Sequence, residues 1–175
     1  MKARIVTREK IFWWCAGGVV VTAILGTILH FLYEWTGESA VAKPFSATDE
    51  STWQHMKIMY FPMVIYGAVQ WFFFKREYPG FALVKLVGIV VGLSLIPILF
   101  YTYNGAFGRS PDWLNITIFM LSAIGGYATE YALFKRGKPC SKWCNLAYLG
   151  IVFIGVLMIV FTYIPPDLPL FKSPI

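Results

Sequence analysis

The sequence predicts an all-α fold, a single membrane domain built as a polytopic bundle of five transmembrane helices. Three observations predict it. Hydrophobic residues make up 58% of the 175-residue chain and charged ones only 14%, against roughly 45–50% and 25% in soluble domains. Apolar runs recur at 11–32, 58–74, 81–103, 113–134 and 146–164, each close to the roughly 17–25 residues that cross a bilayer core. The basic residues also divide unequally between alternate flanks. With the N-terminus inside, Lys2, Arg4, Arg8, Lys10, Lys75, Arg76, Lys85, Lys135, Arg136, Lys138 and Lys142 fall on the cytoplasmic side, against Lys43, Lys57, Arg109 and Lys172 outside. That asymmetry predicts an N-in, C-out topology.

The first run is basic-flanked like a signal peptide, but it is too long for an apolar signal core and lacks a small-residue cleavage pattern. It is expected to be retained, as a helix over 11–35. A long outer loop, 36–51, carries Glu38, Asp49 and Glu50 and contains Pro44. Ser51 with Gln54 has the spacing of a capping box opening a second helix over 52–74. Helices over 81–104, 113–134 and 145–164 follow, with short links holding Gly or Pro, so neighbouring helices run antiparallel.

Small residues at four-residue spacing allow close backbone approach in lipid, and they mark the expected packing faces. These are Gly18, Thr22 and Gly26 on the first helix, continued by His30 and Glu34; Gly88 and Gly92 on the third; and Asn115, Ser122, Gly126 and Glu130 on the fourth. Pro62 and Pro97 fall inside the second and third helices, where a proline frees carbonyls and can kink the axis.

A formal charge of +6 on such a chain belongs to topology and to contact with anionic membrane lipids. No basic stripe interleaved with aromatics points to nucleic acid. Cys15, Cys140 and Cys144 fall on the reducing side, which predicts free thiols. Cys140 and Cys144 alone make a weak zinc signal. Glu130 is expected to pair with Lys135 or Arg136.

Both histidines of the chain, His30 and His55, lie at the outer ends of adjacent helices facing one loop. Glu34 follows His30 by four residues, and Glu50 precedes His55 by five. Two imidazoles with one or two carboxylates suit a divalent metal such as zinc, so His30, Glu34, Glu50 and His55 are the candidate metal ligands and catalytic groups. Without a metal, a carboxylate-oriented imidazole could act as a general base, with Ser51 or water as the attacking oxygen. Lys57, Tyr33 and Trp53 are the candidate substrate contacts. Three readings stay open at this point: a membrane enzyme acting on a lipid or lipid-linked substrate, a small-molecule carrier or binding subunit, and a structural or accessory protein whose cluster is a hydrogen-bonded clasp. The sequence identifies no protein partner.

The stretch from His30 to Gly37, with Tyr33, Glu34 and Trp35, followed by Phe45-Ser46 and by Asp49 to Lys57, resembles a pattern found in an uncharacterised family of small multi-pass bacterial membrane proteins. Gln54 departs from it, standing where an acidic residue is usual. The resemblance implies a bacterial plasma membrane and brings no activity with it.

Overall fold

The computed structural model describes residues 7–75, 77–108, 111–137 and 141–173, and among these the fold is all-α. Its five α-helices are α1 (Arg8–Trp35), α2 (Thr52–Phe74), α3 (Phe81–Phe107), α4 (Asp112–Lys135) and α5 (Cys144–Tyr163). Lys2, Arg4, Arg76, Arg109, Lys138 and Cys140 lie outside the described residues.

Helix α1 starts three residues earlier than hydropathy predicts because Thr7 caps it, its side chain accepting from the Lys10 N–H at 3.3 Å. Helix α3 runs three residues further than predicted, to Phe107. It stops at Gly108, whose φ of 68° is a left-handed cap open to glycine at little cost. Pro62 and Pro97 lie within α2 and α3, neither of which they end.

Four of the helices, α1, α3, α4 and α5, are long and apolar enough to cross a membrane. Helix α2 falls short because its first turns hold Gln54, His55 and Lys57 and its last turns hold Gln70. Its position explains why such a sequence is tolerated. It packs against α1, α3 and α5, and Trp53, Gln54, Lys57, Met59, Met63 and Gln70 are all buried. Its first half is largely enclosed by the other helices and needs no lipid-matching surface, while Ile65, Val69, Phe72 and Phe73 of its second half are exposed and apolar.

Small residues do set the packing, and α3 and α4 form the closest pair. A Cβ at Gly126 would come 2.8 Å from the Gly88 carbonyl oxygen and 3.4 Å from the Gly92 Cα, so only glycine fits. On the other side of α4, the Tyr127 hydroxyl lies 3.0 Å from Thr22 Oγ1 of α1, beside Gly18. Gly126→Ala is expected to destabilise the bundle by about 1–3 kcal/mol through backbone overpacking, read by thermal unfolding in detergent. Unchanged stability would show that the two helices can separate freely.

The loop between α1 and α2 is ordered by its own turns. Gly37 and Glu38 both take left-handed φ, 64° and 62°, and turn the chain back over the end of α1. Ser46 is buried and donates to the Ala42 carbonyl at 2.9 Å, and Ala47 N donates to Leu29 O at 3.2 Å. Glu50 is thereby brought over the helix tops.

Candidate functional site

At the start of α2, Ser51 Oγ accepts from the Gln54 N–H at 3.4 Å, as an N-cap should. The reciprocal half of the expected capping box is replaced. Asp49 Oδ1 accepts from the Ser51 N–H at 2.8 Å, and the Gln54 amide donates to Thr48 Oγ1 at 2.9 Å. Two side-chain caps in series fix the loop immediately before and after Glu50.

This fixing brings His30, Glu50 and His55 together. Glu50 Oε1 lies 3.6 Å from His30 Nε2, and its Oε2 lies 3.6 Å from His55 Nε2. The two rings stand edge to face, with centroids 5.5 Å apart. One ligand atom from each residue can be chosen so that all three lie within 4.8 Å of one another. Both His–Glu separations are too long for hydrogen bonds.

The tautomer of His55 is decided by its other nitrogen. Nδ1 lies 3.0 Å from the Ser51 carbonyl oxygen, which can only accept. Nδ1 therefore carries the hydrogen, and Nε2 turns a lone pair toward a carboxylate. Two lone-pair atoms face each other favourably only with a cation between them, either a proton on the ring or a metal ion. His30 Nδ1 is buried and has no hydrogen-bond partner. The Glu50 carboxyl is held below the usual carboxylate range, chiefly by side-chain contact with His30 and then by the charges of His30 and His55.

Beside Glu50 and His55 lies a cavity of about 20 Å³, walled also by Ile96, Phe100, Asn115 and Phe119. That is room for one water molecule, which needs about 10–15 Å³. Asn115 and Thr52 are thus neighbours of the cluster drawn from α4 and α2.

The remaining candidate residues are placed elsewhere. Glu34 is exposed and outside the three-residue group. Each four-residue step along an α-helix rotates by about 40°, so a stripe that faces inward at Gly18 has turned by roughly 160° at Glu34. Tyr33 is half-buried near the end of α1, its carbonyl accepting from the Glu38 N–H at 2.8 Å. Trp53 precedes and Lys57 follows His55 by two residues, which puts both on the opposite face of α2. Trp53 is buried against Phe161 and Phe171. Lys57 is fully buried, donating to the Lys43 carbonyl at 3.1 Å and Thr162 Oγ1 at 2.9 Å. Lys57 ties the loop to α5 and is not free to meet an anion at the histidines. Lys57→Met is expected to lower stability by about 1–3 kcal/mol through two unsatisfied acceptors while leaving metal affinity unchanged. Parallel thermal melts and metal titrations would separate the two effects.

The chain matches, over residues 1–175, the Family of unknown function (DUF6512). It belongs to that family. No curated protein and no solved structure matches it. The assignment agrees with the resemblance to an uncharacterised family.

A second polar group, built around Glu130, lies deeper in this family member. Lys85 Nζ is 2.7 and 2.9 Å from the two Glu130 oxygens and 2.9 Å from Gln70 Oε1, all three side chains being buried. The partner of Glu130 is therefore Lys85 rather than Lys135 or Arg136. Gln70, Lys85 and Glu130 each lie about four residues from one end of α2, α3 and α4. That common depth was the available signal. Cys15 is buried, and the Cys144 thiol donates to the Pro79 carbonyl at 2.8 Å, both being free cysteines.

Proposed function

We infer that the protein is a membrane metalloenzyme whose His30, Glu50 and His55 hold a divalent cation such as zinc, facing the outside of a bacterial plasma membrane. Its substrate is an ester or phosphodiester of a lipid or lipid-linked molecule. The reading includes five crossings with the N-terminus in the cytoplasm, favoured by the distribution of Lys and Arg.

The observation that carries it is the pair of imidazole Nε2 atoms facing one carboxylate at 3.6 Å each. Metal bonds of about 2.0–2.1 Å at tetrahedral angles hold ligand atoms roughly 3.3 Å apart, so the two 3.6 Å separations need little adjustment, while the widest pair of the three, within 4.8 Å, has to draw closer around the ion. Three protein ligands with one position open is the composition of catalytic rather than structural zinc sites. When bound, such an ion lowers the pKa of a coordinated water and polarises an ester oxygen. The chain's part is to set the geometry: Ser51 fixes the His55 tautomer, Asp49 and Gln54 hold the loop bearing Glu50, and the cavity admits one water. The small cavity suits a headgroup approaching from the bilayer surface rather than an engulfed molecule.

A carrier is less well supported. Between the cluster and the Gln70–Lys85–Glu130 level, the core is filled by buried Met59, Met63, Ile89, Leu93 and Ile96. The test is elemental analysis of protein purified in detergent without added metal, with hydrolysis of fluorogenic phospholipid and glycerophosphodiester probes. One equivalent of metal and metal-dependent turnover are expected. Metal-free protein that binds no added zinc would leave Glu50 as a clasp between two imidazoles and would overturn the enzyme reading.

A further inference from the structure

At the end of the bundle opposite the histidines, an apolar groove of about 420 Å³ runs between α2, α3 and α5. Val64, Gly67, Ala68, Phe72, Ile89 and Ile151 are among its walls. From Phe72 to Val64 it covers eight residues of α2, about 12 Å along the helix axis. We propose that this groove binds one acyl chain of an anionic phospholipid, whose headgroup is held by Lys75 and Lys142 at its mouth.

The position of charge decides the occupant. Lys85 is the one cation in the groove wall among the described residues, and its ammonium is engaged by Gln70 and both Glu130 oxygens. It offers the groove its methylene stem. Gly67 makes room for that stem, since a Cβ there would lie 2.8 Å from Lys85 Cε. An acidic headgroup therefore gains nothing inside and is matched at the mouth. There Lys75 is exposed, its ammonium 3.7 Å from the centre of the Trp71 ring, which lines the groove. Lys142, also exposed, lies two residues before the first residue of α5. The bond from the Cys144 thiol to the Pro79 carbonyl anchors the start of α5 beside the link between α2 and α3, bringing Lys142 to the same end as Lys75. Two lysines at the end of the bundle where the apolar slot begins match a single lipid with its phosphate at the helix ends and one chain pointing to the bilayer centre. This site is independent of the metal centre.

The experiment is native mass spectrometry of the full chain released from micelles containing equal amounts of phosphatidylglycerol and phosphatidylcholine of the same chain length. One phosphatidylglycerol retained per chain, in preference to phosphatidylcholine, is expected. Lys75→Gln with Lys142→Gln should reduce phosphatidylglycerol affinity by about 30-fold and abolish the preference. Ala68 is exposed, so Ala68→Trp fills the groove without touching the core, and it should remove the retained lipid of either kind. Lipid retention undiminished in Ala68→Trp, a stoichiometry rising with lipid without a plateau, or a second copy of the chain in place of lipid would each overturn the proposal.

Discussion

Glu50→Ala and His55→Ala are each expected to lower zinc affinity by at least about 100-fold, since loss of a direct ligand should exceed the 10–100-fold cost of losing an outer-shell partner. His30→Ala should behave the same way, and Glu34→Ala should leave affinity unchanged because its exposed carboxylate lies outside the group. Competition against a chromophoric chelator would measure this, with unfolding curves confirming that each variant is folded. Equal affinities across all four variants would place the metal elsewhere. The pH dependence follows from the same groups. Imidazoles ligate only when neutral, so affinity should fall as the solution is made acidic. The Glu50 carboxylate is not the group that fails first. Its folded-state pKa lies below the ordinary 4.5, so its contribution to stability is present above that value and is lost as pH falls through the lower, folded one. A metal-free clasp predicts a different profile: while the Glu50 carboxylate is still charged, protonated imidazoles would strengthen their pairing with it, and stability would rise as metal affinity fell.

How far the sequence discloses this arrangement depends on the range of the interaction. Helix positions follow from apolar runs and caps, which are local, and the glycines at 18, 26, 88 and 126 mark faces that do meet other helices. His30 and His55 converge because each lies near the end of a helix next to a common loop. Glu34 fails to join them because four-residue spacing does not track one helical face over four turns. Trp53 and Lys57 differ for another reason. They stand close to His55 in sequence, yet a two-residue offset on a helix reverses direction. The Lys57–Thr162 contact links positions 105 apart, and no local pattern reveals it. Lys85 read as one more cytoplasmic cation because charge counting is blind to whether a side chain turns inward. Depth in the helix carried that information.

Lys85→Met is expected to cost about 3–5 kcal/mol, since it leaves the fully buried Glu130 without its counter-charge. Glu130→Leu should cost a similar amount by stranding Lys85. The double variant Lys85→Met/Glu130→Leu removes both charges, and a buried pair replaced by apolar groups of similar volume is often neutral or stabilising. The cycle should therefore show strong non-additivity, read from unfolding in detergent with each single and double variant. Additive losses would mean that the two groups are individually solvated and not coupled. Lys85→Arg distinguishes charge from shape. Arginine keeps the charge, but it brings a planar head into a space where glycine is needed at 67 to clear the Lys85 stem and at 88 to clear the Glu130 side chain. It should fail to restore stability, which would identify this ion pair as a fitted part of the packing between α2, α3 and α4 rather than a charge free to move between partners.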